Sequence, residues 1–159
     1  MEDGKRALRC FVISSDTSFS EDTAKILNKY RYGIDIVQSQ DIHQLRETAS
    51  DQDIIILDEE FIFTLEKTAI DEFVLFLSAS QINAILFTHF NKELPGVILD
   101  RPEVIRIVSK SIKNDELFFH LQTIEYRYIK SLLGRKRLQD KYLKAVSYTH
   151  LTLPTILLV

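Results

Sequence analysis

The stretch Asp53-Ile54-Ile55-Ile56-Leu57-Asp58 constrains this chain more than any other. Four consecutive apolar residues, three of them β-branched, stand between two carboxylates. So short a run, with no polar alternation, is the pattern of a strand buried on both faces, as in the middle of a parallel sheet. A carboxylate at the C-terminal end of such a strand lies where open α/β sheets form their ligand crevices. Asp58 therefore has two readings, a reactive group or a plain cap on the end of the strand.

Strand and helix patterns alternate on either side of it. Residues 7–13 read as a first strand, and Ser14-Ser15-Asp16-Thr17 as the turn that follows. Ser18 and Glu21 have capping-box spacing, in which each side chain satisfies a free backbone N–H at a helix start. Ala24, Ile26, Leu27 and Tyr30 continue at helical spacing, and Gly33 is placed to end that helix. Residues 34–37 read as a second strand, and Asp41 as the cap of a weaker helix through about Ala49, with Ile42 and Leu45 on its apolar face. After Asp58, the positions Leu65, Ala69, Ile70, Phe73, Val74 and Leu77 predict a third helix. Residues 84–87 predict a fourth strand ending before Thr88, and residues 104–108 a fifth, followed by Lys110. Between 91 and 103, Pro95-Gly96 and Pro102 argue against a full helix. Asn114 is placed to cap a long helix with Asp115 and Glu116 in its first turn, where the helix dipole favours acids. Five strands alternating with helices predict an α/β fold, a doubly wound parallel sheet covered on both faces.

At 159 residues and 45% hydrophobic, the chain suits one domain with an ordinary core and some added length. Its one cysteine, Cys10, lies in an apolar run, so no disulfide framework or cysteine metal site is expected. The four histidines are scattered without ligand spacing. The start, Met1-Glu2-Asp3-Gly4, is acidic and polar, unlike a secretory signal. No apolar run nears the roughly 18 residues of a spanning helix. A cytoplasmic location without membrane contact is the expectation.

Charge is unevenly spread. Residues 113–146 carry eight Lys/Arg against four Asp/Glu, and the last thirteen residues carry none, so the net −3 divides into +4 there and −7 over residues 1–112. An acidic body is poorly suited to bind nucleic acid.

Asp58, Thr88 and Lys110 end or follow the third, fourth and fifth strands, which brings all three to one rim of the sheet. Their intervals, 30 and 52 residues from Asp58, together with the strand order, resemble the receiver domain of two-component response regulators over about residues 7–125. The resemblance implies a flavodoxin-like (CheY-like) five-stranded sheet with a long C-terminal helix. It implies a regulatory rather than catalytic domain, with Asp58 as phosphoacceptor and Thr88 and Lys110 contacting the phosphoryl oxygens. It further implies Mg²⁺ held by Asp58, and a sensor histidine kinase or phosphotransfer protein as partner. A carboxylate attacking a phosphoryl donor needs its charge repulsion offset, by a metal and an ammonium. The acidic pair that the family places after the first strand aligns here with Ser14 and Ser15, with Asp16 one position on as a weaker candidate ligand. Ile107 stands where many members carry an aromatic, and Ser111 where a proline commonly follows the lysine. The resemblance is thus to an atypical receiver, and a pseudo-receiver that mediates protein contacts or dimerisation without phosphorylation is the alternative. A nucleotide- or flavin-binding enzyme on the same fold is disfavoured, since Ser14-Ser15-Asp16-Thr17-Ser18 lacks the glycines of a phosphate loop.

Beyond the receiver-like residues 1–125, residues 126–146 read as a helical linker. Its two readings are a plain terminal helix, or a signalling helix that pairs two protomers as a homodimer and leads to an output domain outside this chain. Residues 147–159 resemble translated sequencing-adapter sequence, and a non-native tail is the expectation for them.

Overall fold

The computed structural model describes residues 6–37 and 42–157. Five strands, β1 (Arg9–Ile13), β2 (Gly33–Val37), β3 (Asp53–Asp58), β4 (Asn83–Thr88) and β5 (Ile105–Ser109), form one parallel sheet in the order β2-β1-β3-β4-β5. The helices are α1 (Thr17–Lys29), α2 (Ile42–Thr48), α3 (Glu59–Thr64), α4 (Lys67–Ser80), α5 (Gly96–Leu99) and α6 (Asn114–Leu157). This is the doubly wound parallel sheet that the alternation of strand and helix patterns predicts, in the flavodoxin-like strand order that the resemblance implies.

β3 lies at the centre, and every one of its residues is buried. Because side chains alternate across a strand, Ile55 and Leu57 face one layer and Ile54 and Ile56 the other. Ile55 and Leu57 join a cluster with Phe11, Ile13, Ala84 and Leu86 from the neighbouring strands and Phe61, Phe73, Val74 and Leu77 from α3 and α4. Full burial of each such side chain contributes about 1.5–3 kcal/mol, so this strand anchors the fold on both faces.

The helix ends depart from the expected glycine rule. Gly33 opens β2, where an added Cβ would meet the Arg9 side chain at 3.3 Å. The left-handed residue that closes α1 is Arg31, at φ 67°, and the Tyr32 N–H reaches back to the Leu27 carbonyl at 3.0 Å. α4 ends the same way, with Gln81 left-handed and the Ile82 N–H on the Leu77 carbonyl. The closing hydrogen bonds fix these ends, and arginine and glutamine tolerate the backbone.

Three starts also differ. α1 is capped by Asp16, whose side chain accepts from the Ser18 and Phe19 N–H groups, so Ser18 lies inside the helix rather than before it. α6 has Asn114 as its first residue, with the Lys113 carbonyl accepting from Leu117, so Asn114 is not the cap. A short helix, α3, begins directly after Asp58, and the predicted third helix forms as α4, two residues beyond α3. Between 91 and 103 only the single turn of α5 forms, as the prolines require. The expected cap at Asp41 lies outside the described residues.

The chain divides into two compact units, up to Gln122 and from Thr123. The second is helical to Leu157, and within it Tyr126, Ile129, Leu132, Leu133, Leu138, Tyr142 and Leu143 are exposed. No helix among the described residues is long and apolar enough to cross a membrane.

Candidate functional site

Parallel strands bring their C-terminal ends to one rim, and the register sets which residues meet there. Ile13 pairs with Leu57, Asp58 with Phe87, and Thr88 with Ser109. Ser14 therefore emerges beside Asp58, and Lys110 follows β5 with its N–H on the Thr88 carbonyl at 2.9 Å. Asp58, Thr88 and Lys110 share this rim.

Asp58 is fully buried, and both of its carboxylate oxygens are engaged. Lys110 Nζ lies 2.5 Å from Oδ1, and its own side chain is only 10% exposed. The Ser14 hydroxyl donates to Oδ2 at 3.0 Å. The Glu60 N–H approaches Oδ1 at 3.4 Å, because Asp58 also caps the start of α3. The strand-end cap and the charged centre are thus the same residue. A carboxylate this deep is tolerable only when paired and hydrogen-bonded, and here it is both.

Thr88 is not turned toward Asp58. Its hydroxyl donates to Oε2 of Glu59, whose Oε1 accepts the His89 N–H at 3.2 Å. Thr88 Oγ1 in turn accepts the Phe90 N–H at 3.0 Å. Glu59 is buried, and that burial pushes its carboxyl up. The Thr88 hydroxyl, the His89 N–H and the charges of Lys110 and His89 outweigh it and hold the carboxyl below its ordinary value. Sequence reasoning passed over Glu59. A signal was there in Asp58-Glu59-Glu60, a capping residue followed by two acids, which marks a helix start.

Asp16 serves α1, where its Oδ1 receives the Ser18 N–H at 2.9 Å. Ser14 Oγ also accepts the Asp16 N–H, and Ser15 is exposed. Magnesium takes near-octahedral oxygen ligands, usually with carboxylates among them. Asp58 offers one carboxylate with both oxygens occupied, Ser14 a neutral hydroxyl already donating, and Asp16 a carboxylate engaged as a helix cap. No three of His, Cys, Asp and Glu gather for a metal among the described residues. The donor set as arranged does not fit Mg²⁺.

No family model matches this chain, and no curated protein matches it. Solved structures do. The chain is similar to the signal receiver domain of an HD domain-containing protein from Pseudomonas fluorescens, with TM-score 0.64 and 14% identity over 82% of this chain and 96% of that one. It is also similar to the N-terminal domain of the nisin resistance regulator NsrR, with TM-score 0.56 and 18% identity over 74% and 97%. A CheY-like response regulator receiver domain from Methylobacillus flagellatus matches with TM-score 0.54 and 18% identity over 74% and 98%. These likenesses establish a CheY-like receiver-domain fold.

Proposed function

We propose that this chain is a receiver-like signalling module that works through protein contacts, with Asp58 and Lys110 as a standing ion pair at its centre. One observation carries the reading. Each polar group that phosphoryl transfer would use already has a partner within the chain: Asp58 has Lys110 and Ser14, and Thr88 has Glu59. A group held by good intrachain bonds must give them up before it can serve a substrate, and each such bond to a charged group contributes about 1.5–3 kcal/mol. The module regulates rather than catalyses, and its output lies in a domain beyond residues 126–146. The exposed apolar residues of that helical stretch suit pairing with a second copy of the chain.

The second reading is the phosphoacceptor one. It is favoured by the placement of Asp58, Thr88 and Lys110 on one rim with the ammonium 2.5 Å from the carboxylate. A sensor histidine kinase or phosphotransfer protein would then be the donor. An Asp58 oxygen would bond to phosphorus as the donor's P–N bond breaks and the nitrogen takes up a proton, with Lys110 and a released Thr88 on the phosphoryl oxygens.

Intact mass after incubation with acetyl phosphate and Mg²⁺ separates the two. The proposal expects no phosphoryl adduct on the full chain. An adduct that forms in the wild type and disappears in Asp58→Asn overturns it and establishes the second reading.

A further inference from the structure

Glu59 is buried, yet it takes no part in the ion pair at Asp58. An acid in the first turn of a helix gains from the helix dipole while remaining in water. Glu60, one residue on in the same turn, does this and is exposed. Glu59 instead turns inward to two donors, one on each carboxylate oxygen. The direction of the Thr88 proton is forced. An ionised carboxylate can only accept, so the single Thr88 proton goes to Glu59 while its oxygen receives the Phe90 N–H. Phe90 adopts a left-handed backbone, φ 60°, which few non-glycine residues do. At this turn the Phe90 N–H is taken up by Thr88 Oγ1, so the His89 N–H is the backbone donor that reaches Glu59. Lys110 adjoins the turn, its N–H on the Thr88 carbonyl.

We propose that the Thr88 hydroxyl and the His89 N–H, beside the Lys110 ammonium, form an oxyanion pocket whose built-in occupant is the Glu59 carboxylate. The ligand class is a small oxyanion presenting two adjacent oxygens, such as formate or inorganic phosphate. The inference rests on the receiver-like reading of this rim and deepens it. A resident anion on Thr88 keeps the end of β4 and the turn after it in one state without an added phosphoryl group. It also excludes external anions from that position.

The test is a titration of ¹⁵N-labelled full-length wild type and Glu59→Ala with sodium formate, and separately with inorganic phosphate, at constant ionic strength. The expected result is a saturable shift of the His89 amide in Glu59→Ala, at an affinity about tenfold or more above any response of the wild type. A folded Glu59→Ala that takes both anions no better than the wild type overturns the proposal. If Glu59→Ala does not fold, Glu59→Gln keeps the volume and loses the charge, and amide hydrogen exchange decides. Exchange at His89 about tenfold or more faster than wild type supports the pocket, and unchanged protection overturns it. The phosphodonor experiment is independent. An acyl phosphate on wild-type Asp58 overturns the contact-only reading of the rim and leaves the formate titration to decide the role of Glu59.

Discussion

Lys110→Met probes how the rim is held. The substitution removes the ammonium 2.5 Å from a carboxylate that is 0% exposed, and puts an apolar chain of similar length in its place. Breaking a buried pair from one side costs roughly 3–5 kcal/mol, because the remaining charge stays buried without its counterion. Here the Ser14 hydroxyl and the Glu60 N–H still reach Asp58, which places the loss near the lower end, about 3 kcal/mol. Asp58→Asn is not the mirror image. It removes the carboxylate that Lys110 contacts, but the Lys110 charge also acts on Glu59, and the asparagine keeps an oxygen for Ser14. Its cost should stay within about 1.5 kcal/mol. The double variant Asp58→Asn with Lys110→Met should lie close to Asp58→Asn alone, which makes the coupling about 3 kcal/mol. Urea denaturation of the four proteins measures all of this, and Lys110→Met should also lower Tm by roughly 10 °C. A Lys110→Met chain within about 1 kcal/mol of wild type, or an Asp58→Asn chain as unstable as Lys110→Met, refutes the shared-lysine account.

Two further expectations follow from other parts of the fold. His120 Nδ1 lies 3.0 Å from Arg106 Nη1, so the neutral ring accepts that bond; burial and the guanidinium hold its pKa below the ordinary 6.5, with Glu116 pulling the other way. The unfolded chain therefore binds the proton first, and stability falls as pH drops below about 6.5 and through the folded value, so urea midpoints should decline over that range in the wild type and decline less in His120→Gln. In the second unit, analytical ultracentrifugation should find a dimer that is lost when Ile129 and Leu133 are both changed to Lys; a dimer that persists would place the pairing surface elsewhere.

The fold was legible because its central strand is uniformly apolar and because breakers fall where connections do. Asp53–Asp58, the lack of a full helix between Pro95 and Pro102, and the strands around them follow from the order of apolar residues and breakers. The helix ends were not legible, since Arg31 and Gln81 take left-handed positions that the glycine rule assigns elsewhere. At those two ends the backbone hydrogen bonds decide, and a side chain gives little hint of them. At the rim, spacing located Asp58, Thr88 and Lys110, but spacing carries no information about which donor meets which acceptor. Thr88 pairs with Glu59 because α3 begins immediately after β3 and turns the first helical residue inward, a packing outcome that strand-end intervals do not encode.

The serines after β1 and the glutamate after Asp58 belong to one electrostatic arrangement. A carboxylate at position 14 would stand within hydrogen-bond reach of the second Asp58 oxygen, where like charges disfavour each other and an added cation is needed to balance them. A serine there donates instead, and needs no cation. With that charge gone, the rim holds Asp58 and Glu59 against Lys110, one net negative charge moderated by the Ser14 hydroxyl, the Thr88 hydroxyl and the His89 N–H. Each donor is aimed at an oxygen, and neither carboxylate depends on a bound metal for its counter-charge. On the contact-only reading, metal-dependent chemistry at this rim would take two changes together, a carboxylate after β1 and the removal of Glu59 from Thr88, since either alone leaves the charges or the donors mismatched.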